Sequence, residues 1–320
     1  MSAAGHTMEG PLLQTFNGTT LIKGQPTQIE RVEIYGQVYS ISRGVLTTLK
    51  LEHEWYEDVR DPFAVIDALN HSINVKPDIF TFWQRVPELE PKYDLYSEWE
   101  SVAALPIESF DHWFTKQISS RMRSQIRKAQ KDGVEVRQCS YDDDFVRGMT
   151  EIFNEAPIRQ GRKFWHYGKD FETIKRQFSK YLFREEMIGA YFQGEMIGFM
   201  MLGHAGNYAV TGQIISKIEH RDKATNNVLI SKAVEVCEKR GLPYLVYLHW
   251  TNDSLAEFKR RCGFVETRVP RYFVPLTRRG ALALKAGVHK GLIVAIPDRI
   301  KAPLKKLRKF WFEKTGNFRS

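Results

Sequence analysis

Cysteine is scarce in this chain of 320 residues. There are three, Cys139, Cys237 and Cys262, and no two stand in a CxxC pair. No His or Asp pattern accompanies them, which argues against zinc-finger, thioredoxin-type and thiol-nucleophile chemistry. An odd count without a framework fits a reduced compartment. Long apolar runs are missing too. Nothing approaches the roughly 18 residues of a spanning helix, and Leu292 to Pro297 comes nearest. The opening MSAAGHTMEG holds no apolar stretch, so no secretion signal is expected. These absences point to a cytoplasmic protein without a structural or catalytic metal.

Acidic residues are thin at one end only. Lys285 to Ser320 carries ten Lys or Arg against Asp298 and Glu313, which is +8 of the net +9. The basic balance therefore describes a tail and not a nucleic-acid-binding body. In that tail Leu304, Leu307, Trp311 and Phe312 alternate with Lys305, Lys306, Arg308 and Lys309. Such a helix either docks on the body or lies peripherally on an anionic inner-membrane surface.

What remains is globular. Hydrophobic residues make up 42% of the chain, enough for a sizeable core, and the length suits about two domains. Residues 1–28 read as an extended lead-in. Residues 29–110 read as β-β-α-β-β, with Asp61-Pro62 starting the helix. From Ser109 to Gly133 a helix is expected, its apolar stripe formed by Ile118, Met122, Ile126 and Ala129. Arg123, Arg127 and Lys131 share a neighbouring face, either a solvated surface or one wall of an anion site. Strand, two helices and three strands follow to Ile215, with Gly194-Glu195 as a hairpin signal.

The stretch from Gln213 to Gly241 organises the rest. A strand ends at Ile215, a charged turn follows, and a helix starts near Asn226. Unpaired N–H groups and the helix dipole make that junction an anion site. A strand at 244–250, a helix from Asp253 to Arg261 and a last strand complete the body.

The order β-α-α-β-β-β-α-β-α-β over 134–276 resembles the GNAT acyltransferase fold. Ser254 to Phe264, SLAEFKRRCGF, looks like its short helix and Gly-Phe turn. The Phe-Lys and Gly-Phe pairs are also similar to the FemAB-type branch. So is Trp113 to Val134, with Arg123, Ile126, Arg127, Lys128, Ala129, Lys131 and Gly133 at matching spacing. The resemblance implies an α/β (α+β) fold, a GNAT-like mixed sheet flanked by helices, in two lobes with the first reduced. The expected organisation is an extended segment over 1–28, a reduced lobe over 29–110, an acyltransferase domain over 111–277 and a basic extension over 278–320.

One feature departs from the resemblance. CoA-dependent GNATs carry Gln/Arg-x-x-Gly-x-Gly/Ala before the long helix, so that backbone amides reach the pyrophosphate. Here the slot reads Arg221-Asp222-Lys223-Ala224-Thr225-Asn226-Asn227, with no glycine. Ile215, Arg221, Lys223, Thr225, Asn226 and Asn227 are the expected cofactor-binding residues, with Thr225 as a helix cap. Acyl-CoA is the expected co-substrate. The FemAB-type branch also lacks the glycines, and that resemblance implies an aminoacyl-tRNA donor and a cell-envelope precursor as acceptor.

On the acceptor side, NEAPIRQGRKFWHYGKD (154–170) gathers cations and aromatics. Arg159, Arg162, Trp165, His166, Tyr167 and Lys169 are the expected substrate-binding residues, since paired Arg grips carboxylate or phosphate and the rings offer stacking faces. Amine acylation also needs a base and an acid. Glu219 and His220 are the candidates for the base, and Tyr272 for the acid. The expected activity is N-acyl transfer from an acyl-CoA to an amine on a small molecule. FemAB-like aminoacyl transfer and a non-catalytic binding module are the alternatives.

Overall fold

A computed structural model describes residues 12–22, 25–159, 161–180, 182–250 and 254–289. The first half runs β1 (Thr15–Ile22), β2 (Gln25–Ile34), β3 (Gln37–Ser42), β4 (Thr48–Leu51), α1 (Pro62–His71), β5 (Ile79–Trp83) and β6 (Ser97–Pro106). Then come α2 (Phe110–His112), a π-helical turn over Trp113–Gln117, α3 (Ser120–Lys131), β7 (Glu135–Cys139) and α4 (Asp143–Asn154). A two-residue hairpin, β8 (Ile158–Arg159) and β9 (Arg162–Lys163), precedes α5 (Phe171–Phe178). The last part holds β10 (Glu185–Phe192), β11 (Glu195–Ala205), β12 (Tyr208–Ser216) and α6 (Thr225–Lys239). It closes with β13 (Tyr244–His249), α7 (Ser254–Arg261), β14 (Val265–Pro275) and α8 (Arg278–Lys285).

Twelve strands form one mixed sheet, ordered β1-β2-β3-β4-β5-β14-β6-β13-β12-β11-β10-β7. The expected α/β architecture is therefore present, with helices on the sheet. The two expected lobes are not separate sheets. β14, from the end of the second, pairs with both β5 and β6 of the first. Side chains reinforce the seam: Arg85 donates to the Tyr208 hydroxyl at 2.8 Å, and Tyr56 to Glu185 at 2.7 Å. The lead-in also differs from expectation, because Thr15–Ile22 forms a hairpin with β2.

β11, EMIGFMMLGHA, is an apolar run buried on both faces, as a strand covered by helices on each side should be. Ile197, Met200 and Leu202 pack with α3 and α6. Met196, Phe199 and Met201 pack with α4 and α5 on the other face. The long helix expected over 109–133 is broken. Ser119 caps α3 through a bond from the Met122 N–H, and Arg123 bonds the Ile118 carbonyl at 2.7 Å. Arg127 lies over the Phe114 ring. The basic face thus stabilises the break and the aromatic turn beside it.

The C-terminal extension begins by docking. Thr277 bonds Asp78 at 2.7 Å, and Gly280 of α8 sits so close to the Asp78 carbonyl that a Cβ there would lie 2.1 Å from its oxygen. The amphipathic stretch from residue 290 onward, expected either to dock on the body or to lie on a membrane surface, lies outside the described residues. Among the described residues no helix is long and apolar enough to cross a membrane.

Candidate functional site

β12 and β13 run parallel but pair only at Ala209–Leu245 and Val210–Val246. Further along, both leave regular geometry. β12 bulges at Gly212, where Thr211 opposes Leu202 and Gln213 opposes Met201. β13 carries Leu248 at φ 46°, the left-handed region. The strands therefore diverge. Lys259 of α7, 1% exposed, donates to the Tyr247 and His249 carbonyls at 2.7 Å each. It satisfies acceptors in the irregular stretch of β13.

A cavity of about 570 Å³ opens at this divergence, along Gln213 to Ile218 and the N-terminus of α6. Five cations line it: Arg159, Lys163, Lys217, Arg221 and Arg261. Among the described residues no carboxylate or imidazole lines it. Helix α6 points its N-terminus here with no side-chain cap. Its first turn leaves N–H groups without intrahelical partners, at the positive end of the helix dipole.

The glycine-free slot resolves unexpectedly. Ala224 precedes α6 at φ 50°, ψ 36°, the left-handed conformation in which glycine is favoured. The backbone follows the turn that a glycine would make, although the residue is alanine. Thr225 does not cap the helix; it is the first helical residue. It is 3% exposed, and its Oγ1 has no hydrogen-bond partner, nor does Asn226 Oδ1. Asn227 is held by Gln125 of α3 at 2.9 Å. Gly198 on β11 makes room for this arrangement. A Cβ on it would lie 2.5 Å from Thr225 Cγ2 and 3.1 Å from the Ile215 carbonyl oxygen.

Five of the six residues expected to bind cofactor line the cavity: Ile215, Arg221, Thr225, Asn226 and Asn227. Lys223 does not. It lies over the Phe192 ring at 4.5 Å and pairs with Asp222. Both base candidates are directed elsewhere. His220 packs on Phe192 and sits 3.5 Å from Glu195, and Glu219 sits 3.5 Å from His220. Between these carboxylates lies the Lys217 ammonium, paired with Glu195 and 3.6 Å from Glu151. The hydrogen bond from Lys217 holds the Glu195 carboxyl below the usual range. Glu195, Glu219 and His220 lie close enough to share a metal ion, but the cation the cluster collects is this lysine.

Tyr272 is fully buried in the first lobe. It stacks on Phe82 and donates to Gln84 at 2.9 Å, so it serves that core and not the cavity. The acceptor loop divides. Arg159 reaches the cavity with Lys163 and Phe164. Arg162 belongs to β9, and its side chain lies outside the described residues. His166 turns inward and stacks on Phe153 at 4.2 Å. Burial and the nearby Lys169 ammonium push its pKa down to about 3, so it is a neutral core residue. Trp165 and Tyr167 stay about half exposed outside the cavity, and Lys169 lies over Trp165 while bonding Gln177.

Sequence reasoning missed Gln125, Gln213, Lys217 and Arg261, and left Lys163 unassigned. Arg261 stands within the stretch that carried the resemblance. Gln125, Lys163, Gln213 and Lys217 also fall inside stretches that the sequence singled out, but they hold no motif position in them, and the strand divergence brings them together.

No protein-family model matches the chain, and no curated protein is significantly similar to it. Solved structures do share its fold. FemX is 12% identical, with 86% of this chain and 90% of that one aligned at a TM-score of 0.53. The C-terminal domain of a candidate lysylphosphatidylglycerol synthetase from Agrobacterium fabrum is 12% identical, with 80% and 87% aligned at 0.51. The fold is thus the one that the sequence resemblance implied, shared with FemX over 86% of this chain.

Proposed function

We propose that this protein is an acyltransferase that seats a phosphate-bearing acyl donor in the cavity between β12 and α6 and passes the acyl group to an amine. The carrying observation is the cavity's lining among the described residues: Lys163, Arg221 and Arg261 beside the ion-paired Arg159 and Lys217, no carboxylate, and an uncapped helix N-terminus beside a buried, unpartnered Thr225 hydroxyl. That set suits phosphate oxygens. Arg221, Arg261 and Lys163 hold the phosphates, while the Thr225 hydroxyl and the first amides of α6 donate to the innermost oxygen. The irregular backbone of β12 beyond Gly212 supplies N–H groups to the developing oxyanion.

In the transfer, the amine nitrogen bonds to the acyl carbon, the bond from that carbon to the leaving thiol or hydroxyl breaks, and the amine proton ends on the leaving group. With no carboxylate or imidazole facing the cavity among the described residues, the amine arrives already neutral. Catalysis on this account is positioning plus charge stabilisation.

Acyl-CoA is the donor of first choice, because Arg221 and the left-handed Ala224 reproduce the turn of the glycine-bearing loop. An aminoacyl-tRNA is the second, favoured by the Cβ atoms of Ala224 and Asn226 where that loop carries small residues. A small-molecule amine accompanies the first donor and a cell-envelope precursor the second, at the cytoplasmic face of the membrane. Two assays separate them. Radiolabelled acetyl-CoA with a panel of amines tests the first, and charged tRNA with envelope precursors the second. Transfer from neither, together with retained pyrophosphate binding, identifies a binding module and overturns the enzyme reading.

A further inference from the structure

The cavity's wall is held by an ion pair that no motif announces. Glu155 is the residue at the C-terminal end of α4, where the helix dipole disfavours a negative charge. Its carboxylate nevertheless accepts from the Ile218 N–H at 2.6 and 2.7 Å and from the Glu219 N–H at 2.9 Å. Arg159 completes the unit. It donates to Glu155 at 2.7 Å, to the Ile152 carbonyl of α4 at 2.7 Å and to the Ser216 carbonyl of β12 at 2.8 Å. Two consecutive backbone N–H groups converging on one carboxylate form an anion nest. Here the nest is filled from within the chain.

We propose that Glu155 and Arg159 are paired positioning residues. Glu155 acts as an internal anion that fixes the exit of β12, and with it the wall that presents Ile218 and Arg221 to the acyl donor. The inference rests on the cavity being the donor site. It also changes the role of Arg159, three of whose hydrogen bonds go to protein acceptors. Because the nest is occupied, donor phosphates meet side chains and the α6 terminus and not the Ile218 and Glu219 amides. A Gln at 155 leaves the two N–H groups only a neutral acceptor and an Ala leaves them none, so that α4 and the exit of β12 are joined only by the Arg159 bonds to the Ile152 and Ser216 carbonyls.

The test uses the full chain with inorganic pyrophosphate as the probe. Amide NMR comes first. In the wild type, the Ile218 and Glu219 N–H resonances should lie well downfield, as charge-assisted bonds require. Glu155→Gln and Glu155→Ala should move both upfield, and formate added to Glu155→Ala should restore them. Calorimetry comes second. Pyrophosphate affinity should fall about tenfold or more in Glu155→Gln, which corresponds to about 1.4 kcal/mol. It should recover with formate in Glu155→Ala, a recovery that general destabilisation does not predict. Arg159→Lys should lose affinity similarly, since Lys lacks the fork that joins three acceptors. Amide shifts unchanged in Glu155→Gln, or wild-type affinity despite shifted amides, overturns the proposal. If the wild type binds no pyrophosphate, the donor reading fails instead, and the amide shifts alone decide whether the tie exists.

Discussion

Gly198→Ala is the sharpest probe of how the fold builds the cavity. The added methyl would lie 2.5 Å from Thr225 Cγ2, 3.1 Å from the Ile215 carbonyl oxygen and 3.2 Å from Ser216 Cβ. None of the three yields easily. Thr225 is 3% exposed at the first position of α6, and Ile215 is paired to Phe199 across the sheet. Overpacking of this kind costs about 1–3 kcal/mol. The strain falls on the two segments that line the cavity, so pyrophosphate affinity should fall more than stability. Gly148→Ala is the matched control. Its methyl would meet Met196 Cε at 2.3 Å, the far end of a flexible side chain, and neither residue lines the cavity. Urea melts give the stability change and calorimetry gives the affinity. The reasoning fails if Gly198→Ala binds pyrophosphate like the wild type, or if both variants lose affinity equally.

Ala224→Gly should keep pyrophosphate binding and be neutral to about 1 kcal/mol stabilising in denaturant melts, because glycine relieves the left-handed strain but loses more entropy on folding; Ala224→Val should lose binding. Lys259→Met should destabilise by about 1–3 kcal/mol, since two part-buried backbone carbonyls in the irregular stretch lose a charged partner. His166 stays neutral in the folded state, with a pKa near 3 against 6.5 unfolded, so protonation favours the unfolded chain. Its contribution is complete above pH 6.5 and declines as pH falls towards 3, by about 2 kcal/mol at pH 5; His166→Phe should flatten that part of a stability–pH curve. If transfer is observed, its rate should rise with pH towards the acceptor amine's own pKa, and His220→Ala should leave the profile unchanged.

Periodicity and turn chemistry made much of this protein readable. The β10–β12 meander, α4 and the strand-turn-helix into α6 all follow from local signals. So did five of the residues that line the cavity, because one junction brings them together. The failures have physical causes. Glu219 and His220 looked like a base pair by adjacency, but Lys217 draws their charge out of the cavity. His166 and Tyr272 are polar residues that the core absorbed, stacked on Phe153 and Phe82. The seam between the lobes was invisible because β14 pairs with strands more than 150 residues earlier, and no local pattern encodes that register. Ala224 is the instructive case. Composition said that glycine was missing, whereas the backbone shows that the glycine conformation was kept.

The most direct measurement is a calorimetric titration of inorganic pyrophosphate into the wild type and into the Arg221→Ala/Arg261→Ala double variant, at low and moderate salt. The account predicts one site in the wild type, weakened by salt, and a loss of at least about tenfold in the double variant. Equal affinity in the two proteins, or no binding by the wild type at millimolar pyrophosphate, would contradict it.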